Sequence, residues 1–191
     1  MHVVFLLFIV VLAAAILLGM TSYNRLIEIK HNVSRAWANI DVLLKQRHDE
    51  LPKLVEACKQ YMKHEQETLE RIMKARSAVS QARIAGDVTA LGNAETQLRG
   101  GLGNLFTLVE SYPELQADKH FRNLYTRITA LESAIADRRE FYNDSVTINN
   151  TRLEQFPNTL LTRWFGNFQS YKLLQFAEED IRDVDLKQLF G

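Results

Sequence analysis

FRNLYTRITALESAIADRREFYNDSVTIN, residues 121–149, decides the fold. Its inward-type positions are Phe121, Leu124, Ile128, Leu131, Ile135, Arg138, Tyr142, Ser145 and Asn149, in alternating steps of three and four. Side chains spaced this way share one face of an α-helix, so the stretch reads as one helix packed against others for about four heptads. At a rise of about 1.5 Å per residue it predicts a helix on the order of 50 Å long, ending near Phe156-Pro157.

The same stepping appears earlier in the chain, through Val33, Trp37, Ile40 and Leu44, then Leu51, Leu54, Cys58 and Tyr61, then Leu69, Ile72, Arg76 and Val79. Pro52 lacks an N–H and clashes with the preceding turn. A kink or restart is therefore expected near His48–Leu51, with Asp49 capping the second half. Ala85-Gly86-Asp87 marks a clean break, Gly ending one helix and Asp87 capping the next. That next helix is expected over Val88–Ser111, with Leu91, Leu98, Leu102, Leu105, Leu108 and Val109 as its apolar face. Gly100, Gly101 and Gly103 lie inside it and read as sites of close helix approach or a kink. Tyr112-Pro113 should end it, because the residue before Pro leaves the α region. With only eight Gly and three Pro in 191 residues, the chain is too poor in turn residues for a β-rich fold. The expected class is all-α, an antiparallel bundle of long helices.

Ahead of the bundle, Val3–Met20 contains no charged residue. Its length of roughly 27 Å as a helix approaches the hydrocarbon thickness of a bilayer. Thr21, Ser22 and Tyr23 follow as an interfacial collar. A secretory signal would carry a basic start and a shorter apolar core; only Met1 and His2 precede this run, so a retained anchor is expected rather than a cleaved signal. Arg25, Lys30 and Arg35 follow the run and no Lys or Arg precedes it. The positive-inside rule then puts the N-terminus outside and the bundle in the cytoplasm, with a periplasmic bundle as the alternative. Three regions result: an anchor over 1–22, a bundle over 23–156 and a tail over 157–191.

Lys plus Arg and Asp plus Glu number 23 each, giving zero net charge. No basic stripe invites nucleic acid. The histidines share no helix face at metal-ligand spacing. His64-Glu65 begins like a zincin motif, but the position that would hold its second His is Thr68. Cys58 falls on the apolar stripe, where a free cysteine behaves as a small hydrophobe. No nucleophile motif, metal set or cofactor loop is present, so no catalytic, cofactor or metal residues are assigned and enzymatic activity is not expected.

Several polar residues do fall on the stripes: Arg47, Glu65, Arg76, Arg138 and Asn149. Buried groups of this kind need partners, and a polar layer pairing them across the bundle is expected. The tail is aromatic-rich (Phe156, Trp164, Phe165, Phe168, Tyr171, Phe176 and Phe190) and then acidic (Glu178, Glu179, Asp180, Asp183 and Asp185). Its aromatics can fold back on the bundle, dock on a neighbouring subunit or partner, or sit at the membrane interface. Trp164, Phe165, Phe168, Tyr171 and Phe176 are the candidate contacts.

Tyr23-Asn24-Arg25-Leu26 after the apolar run is followed by Ala36-Trp37-Ala38-Asn39-Ile40-Asp41-Val42, Leu44-Lys45-Gln46-Arg47 and His48-Asp49-Glu50-Leu51-Pro52-Lys53-Leu54-Val55-Glu56. With Tyr61, His64-Glu65, Ala75-Arg76, Tyr112-Pro113-Glu114-Leu115, Glu132, Ile135-Ala136, Tyr142-Asn143 and Phe156-Pro157-Asn158, this ordered series resembles the LemA family of bacterial membrane proteins. The resemblance runs from Tyr23 to Phe176. It implies an N-terminal transmembrane helix, an antiparallel bundle, no established catalytic residues, and a short outside N-terminus with a cytoplasmic or, in some members, periplasmic bulk. Leu51-Pro52-Lys53 departs from the family's common Ile-Pro-Asn, and the tail from Leu173 looks particular to a subgroup.

Two functions fit these features. One is a structural scaffold in the bilayer that recruits copies of itself or another membrane protein. The other is a membrane-tethered sensor whose polar layer binds a small ligand. Neither nucleic acid nor an evident small-molecule substrate is implied.

Overall fold

The structure, a computed structural model, describes residues 1–176. Glu178, Glu179, Asp180, Asp183, Asp185 and Phe190 of the tail lie outside the described residues. The order is α1 (His2–Tyr61), α2 (Gln66–Ala85), α3 (Val88–Val109), α4 (Pro113–Ala117), α5 (Lys119–Glu154) and α6 (Asn158–Phe165). The protein is all-α, with no strand among the described residues.

Pro52 lies inside α1, which runs unbroken from His2 to Tyr61. The expected restart at His48–Leu51 does not occur. A proline leaves the carbonyl four residues back without its N–H donor, and here that carbonyl is His48's. It is supplied from outside the helix: Arg76 Nε donates to it at 2.8 Å. The break falls instead after Tyr61, where Met62 turns fully inward and Glu65 N donates to the Met62 carbonyl at 3.2 Å.

The Gly86-Asp87 junction is as expected. Gly86 adopts φ +68°, a left-handed conformation that costs a glycine little. Gly86 N donates to the Arg83 carbonyl and Asp87 N to that of Ala82, closing α2. Asp87 Oδ1 then accepts from Thr89 N and Ala90 N to open α3. Asp118, whose Oδ1 accepts from Phe121 N at 2.8 Å, caps α5 in the same way.

The chain divides into two compact units. The first comprises Met1–Ile40 and Asp137–Leu173. Its core buries Leu26, Ile29, Val33, Ala36 and Ile40 from α1 with Tyr142 and Val146 from α5. Trp37 packs half-buried against Tyr142, the ring centroids 5.4 Å apart. After α6 the chain runs without regular structure, and side chains of α5 hold its backbone. Asn150 exchanges two hydrogen bonds with Tyr171, through Nδ2 to the carbonyl at 2.9 Å and Oδ1 from the amide at 3.0 Å. Asn149 Nδ2 donates to the Gln169 carbonyl and Tyr142 OH to that of Lys172.

Most of α1's start is solvent-exposed; no residue of its most apolar window, of mean hydropathy 3.2, is buried. Among the described residues α1 is the one helix long and apolar enough to cross a membrane.

The second unit comprises Asp41–Ala136 with the described residues from Leu174 to Phe176. Asp41 meets Arg83 while His48, farther along α1, meets Arg76, earlier in α2. Arg47 meets Glu132 while Glu50 meets the earlier Arg127 of α5. Both pairings run antiparallel to α1. Gly101 of α3 approaches Ile72 of α2, a Cβ there lying 3.2 Å from Ile72 Cγ1. The two residues are equally far from the Gly86-Asp87 link, which is the register of an antiparallel hairpin. The unit is therefore an up-down-up-down packing of α1, α2, α3 and α5, with Leu44, Leu51, Leu54, Leu69, Ile72, Leu91, Leu98 and Ile128 buried inside.

Candidate functional site

Arg47 lies on the inward stripe of α1 between Leu44 and Leu51, and 1% of it is exposed. A guanidinium removed from water costs several kcal/mol unless paired and hydrogen-bonded. Two carboxylates meet it: Nη2 donates to Glu95 Oε1 on α3, and Nη1 donates to Glu132 Oε1 on α5 at 2.6 Å. Arg99 on α3 approaches the other oxygen of Glu132 at 3.7 Å, so two cations and two anions share the cluster. Burial pulls the Arg47 pKa down, but the charges of Glu95 and Glu132 outweigh it and hold Arg47 above its ordinary value. Burial pushes the Glu95 carboxyl up, against the opposing pull of Arg47. Arg47 Nε and Glu95 Oε2 remain buried without a hydrogen-bond partner.

Beside this cluster sits a pair built around His48. Arg76 Nη2 lies 2.7 Å from His48 Nε2. Arginine can only donate, so Nε2 accepts and the ring proton rests on Nδ1, which is buried without a partner. Burial first, and the Arg76 charge second, lower the His48 pKa. Arg76 therefore covers two acceptors of one residue, the orphaned carbonyl and the ring nitrogen.

The five expected polar-layer residues do not form one layer. Arg47 and Arg76 lie in the second unit and make the contacts above. Glu65 ends the turn before α2, partly exposed and making no side-chain cap. Arg138 is exposed. Ile135, Tyr142, Ser145 and Asn149 stay inside, whereas Arg138, at the same stripe spacing, faces water. Asn149 is buried in the first unit, where it holds the chain backbone at Gln169.

Glu95 carries a signal in the sequence beyond the five polar residues expected inside: the stripe of α3 jumps from Leu91 to Leu98, and Glu95 fills the gap at helical spacing. Glu132 lies one residue beyond Leu131, the position assigned to the α5 stripe.

The tail aromatics divide. Phe176 is buried in the second unit with the Arg99 guanidinium 5.6 Å from its ring centroid. In the first unit Tyr23 packs against Phe165 at 5.2 Å and Phe168 at 5.8 Å, and Tyr171 is clasped through its backbone. Trp164 is 85% exposed. Cys58 is fully buried, and burial pushes its thiol up to about 12. Among the described residues no three His, Cys, Asp or Glu side chains gather as a metal site.

The LemA family model matches residues 36–187. Protein LemA of Metamycoplasma hominis is 26% identical over 166 residues, 87% of this chain and 74% of that protein. Magnetosome proteins MamQ 1 and MamQ 2 of Paramagnetospirillum magneticum are each 30% identical over 92 residues, 47% of this chain. The chain spans only 33% of the length of those two relatives. The family match, the all-α architecture and the one long apolar N-terminal helix, which fits a single-pass membrane protein, agree: the chain belongs to the LemA family.

Proposed function

We propose that this chain is a non-enzymatic membrane scaffold, a bilayer-tethered helical bundle that associates with copies of itself. One observation carries the reading: the buried cation Arg47 is engaged by Glu95 and Glu132 of the same chain. A buried charge answered by carboxylates on two neighbouring helices fixes helix partners and register. Such a group serves the bundle's own geometry and is not presented to a substrate.

The surface for self-association is the outer face of α5. Phe141 and Ile148, separated by about two helical turns and so on one face, are 51% and 53% exposed. The bundle faces the cytoplasm, a reading supported by Arg25, Lys30 and Arg35 just after the apolar run. A photo-reactive residue placed at 141 or 148 of the full chain in native membranes tests the association. Adducts of the chain with itself support it; illumination that yields none at either position counts against it. Reporter fusions at the C-terminus test the compartment.

A further inference from the structure

The geometry points to α6 as an interfacial helix that lies in the headgroup layer of the bilayer, beside a two-arginine cleft for the phosphodiester of an anionic phospholipid. The argument rests on Val3–Met20 as a span and goes beyond the scaffold reading.

α6 is amphipathic and buries none of its residues. Leu160, Leu161, Trp164 and Phe165 fall on one side. Thr159, Thr162 and Arg163 fall on the other. Phe156 is 81%, Leu160 55% and Trp164 85% exposed, side chains that no described residue buries. Large exposed aromatic and aliphatic side chains on a short amphipathic helix are what interfacial segments offer to lipid.

Its depth is set by the chain itself. Phe165 and Phe168 pack on Tyr23, and Lys30 Nζ donates to the Asn167 carbonyl at 3.1 Å. Tyr23 stands about 4.5 Å of helix rise beyond Met20, the end of the apolar run. That is the level where headgroups begin and where Trp and Tyr concentrate. The exposed face is thus tied, through Phe165, to the helix just past the span.

Charge complements this placement. A cleft of about 180 Å³ opens between α1 and the turn before α6, lined by Ser22, Arg25, Arg152, Gln155 and Asn158 among others. Arg152 Nη1 donates to Gln155 Oε1 at 3.0 Å, which orients its guanidinium. Neither Glu28 nor Glu154 lines the cleft. Two guanidiniums, a hydroxyl and an amide are donors suited to a phosphate oxygen, and an anionic leaflet concentrates that ligand at this depth.

The test uses the full chain reconstituted in phosphatidylcholine vesicles, with and without equimolar phosphatidylglycerol. The Trp164 signal is the wild-type emission minus that of Trp164→Phe, a change at an exposed position that leaves Trp37 as the background. Lipids brominated near the top of the acyl chain are expected to remove roughly half of that signal. The loss should be greater with phosphatidylglycerol. Arg25→Gln/Arg152→Gln should erase the phosphatidylglycerol increment while leaving the basal quenching, and inorganic phosphate should not compete. Trp164 emission that is water-like and unquenched in both vesicles overturns the proposal. So does quenching that appears only as the protein-to-lipid ratio rises, which would make a second copy the occupant. Competition by inorganic phosphate equal to that of the lipid overturns the assignment of the cleft to a headgroup.

Discussion

The side chain of Arg76 donates to the main-chain carbonyl of His48 at 2.8 Å, the one carbonyl of α1 that Pro52 leaves without its helical donor. A residue on the second helix thereby completes the hydrogen bonding of the first, and α1 passes through a proline without breaking. Replacing Arg76 by Met should cost about 1–3 kcal/mol, the range for an orphaned buried acceptor. Pro52→Ala returns an N–H to that carbonyl, so the cost of Arg76→Met should shrink in the Pro52→Ala background. Denaturant unfolding of the four proteins of this cycle measures the coupling; strictly additive losses would show that Arg76 acts elsewhere.

His48 gives the same pair a pH signature. Its pKa is lowered in the folded state from an ordinary value of 6.5, by burial first and then by Arg76. Below about 6.5 the unfolded chain takes up the proton before the folded one does. The stabilisation is therefore fully present above that pH, declines as pH falls towards the lowered folded value, and is flat below it. Glu95, raised by burial above its ordinary value of 4.5, acts with the opposite sign in the range above that value. The His48 contribution is best read as the difference between wild type and His48→Gln, which keeps an acceptor for Arg76 but cannot titrate. Equal slopes for the two proteins between neutral and mildly acidic pH would contradict it.

Arg47 and Arg138 look alike in the sequence stripe and should behave oppositely. Arg47→Met strands two carboxylates and should destabilise by about 3–5 kcal/mol, with much of the loss recovered on adding Glu95→Leu. Arg138→Leu changes an exposed position and should move stability by no more than about 0.5 kcal/mol. Thermal or chemical unfolding of the full chain in detergent distinguishes them.

Two glycines of α3 make a similar contrast. A Cβ at Gly92 would stand 2.1 Å from the Gln175 carbonyl oxygen, whereas one at Gly103 meets nothing within 4 Å. Gly103→Ala should stabilise by up to about 1 kcal/mol through helix propensity alone. Gly92→Ala has the same propensity gain but must displace backbone, so it should destabilise and speed proteolysis within residues 166–176. Cleavage at wild-type rate in Gly92→Ala would mean the chain does not rest on α3 there.

Cys58, buried and with its thiol pushed up to about 12, should resist thiol reagents in the native chain. It should react at the rate of an ordinary thiol once denatured. Labelling followed across the unfolding transition checks this.

The parts of this architecture legible in the sequence are those encoded locally. The three-and-four stepping of α1 and α5, the Gly86-Asp87 stop and start, and the apolar run at the N-terminus are each read from neighbouring residues. What escaped depends on distant ones. Pro52 reads as a break because the donor that repairs it comes from Arg76, on another helix. The turn after Tyr61 carries no Gly or Pro and follows from the inward burial of Met62. Arg138 has the spacing of an inward position yet faces water, while Ser145, one heptad on, is buried; spacing alone does not separate the two. The backbone held by Asn149 and Asn150, and the close approach at Gly92, have no periodic signal because they are contacts between a helix and an irregular segment.

The mass of the intact particle, released from native membranes with its surrounding lipid and measured under non-denaturing conditions, tests the scaffold reading most directly. The account predicts particles containing two or more copies of the chain, with Phe141→Asp/Ile148→Asp reducing them to one while the helical content is retained. Single chains at every concentration in the wild type, without any other protein, would contradict it.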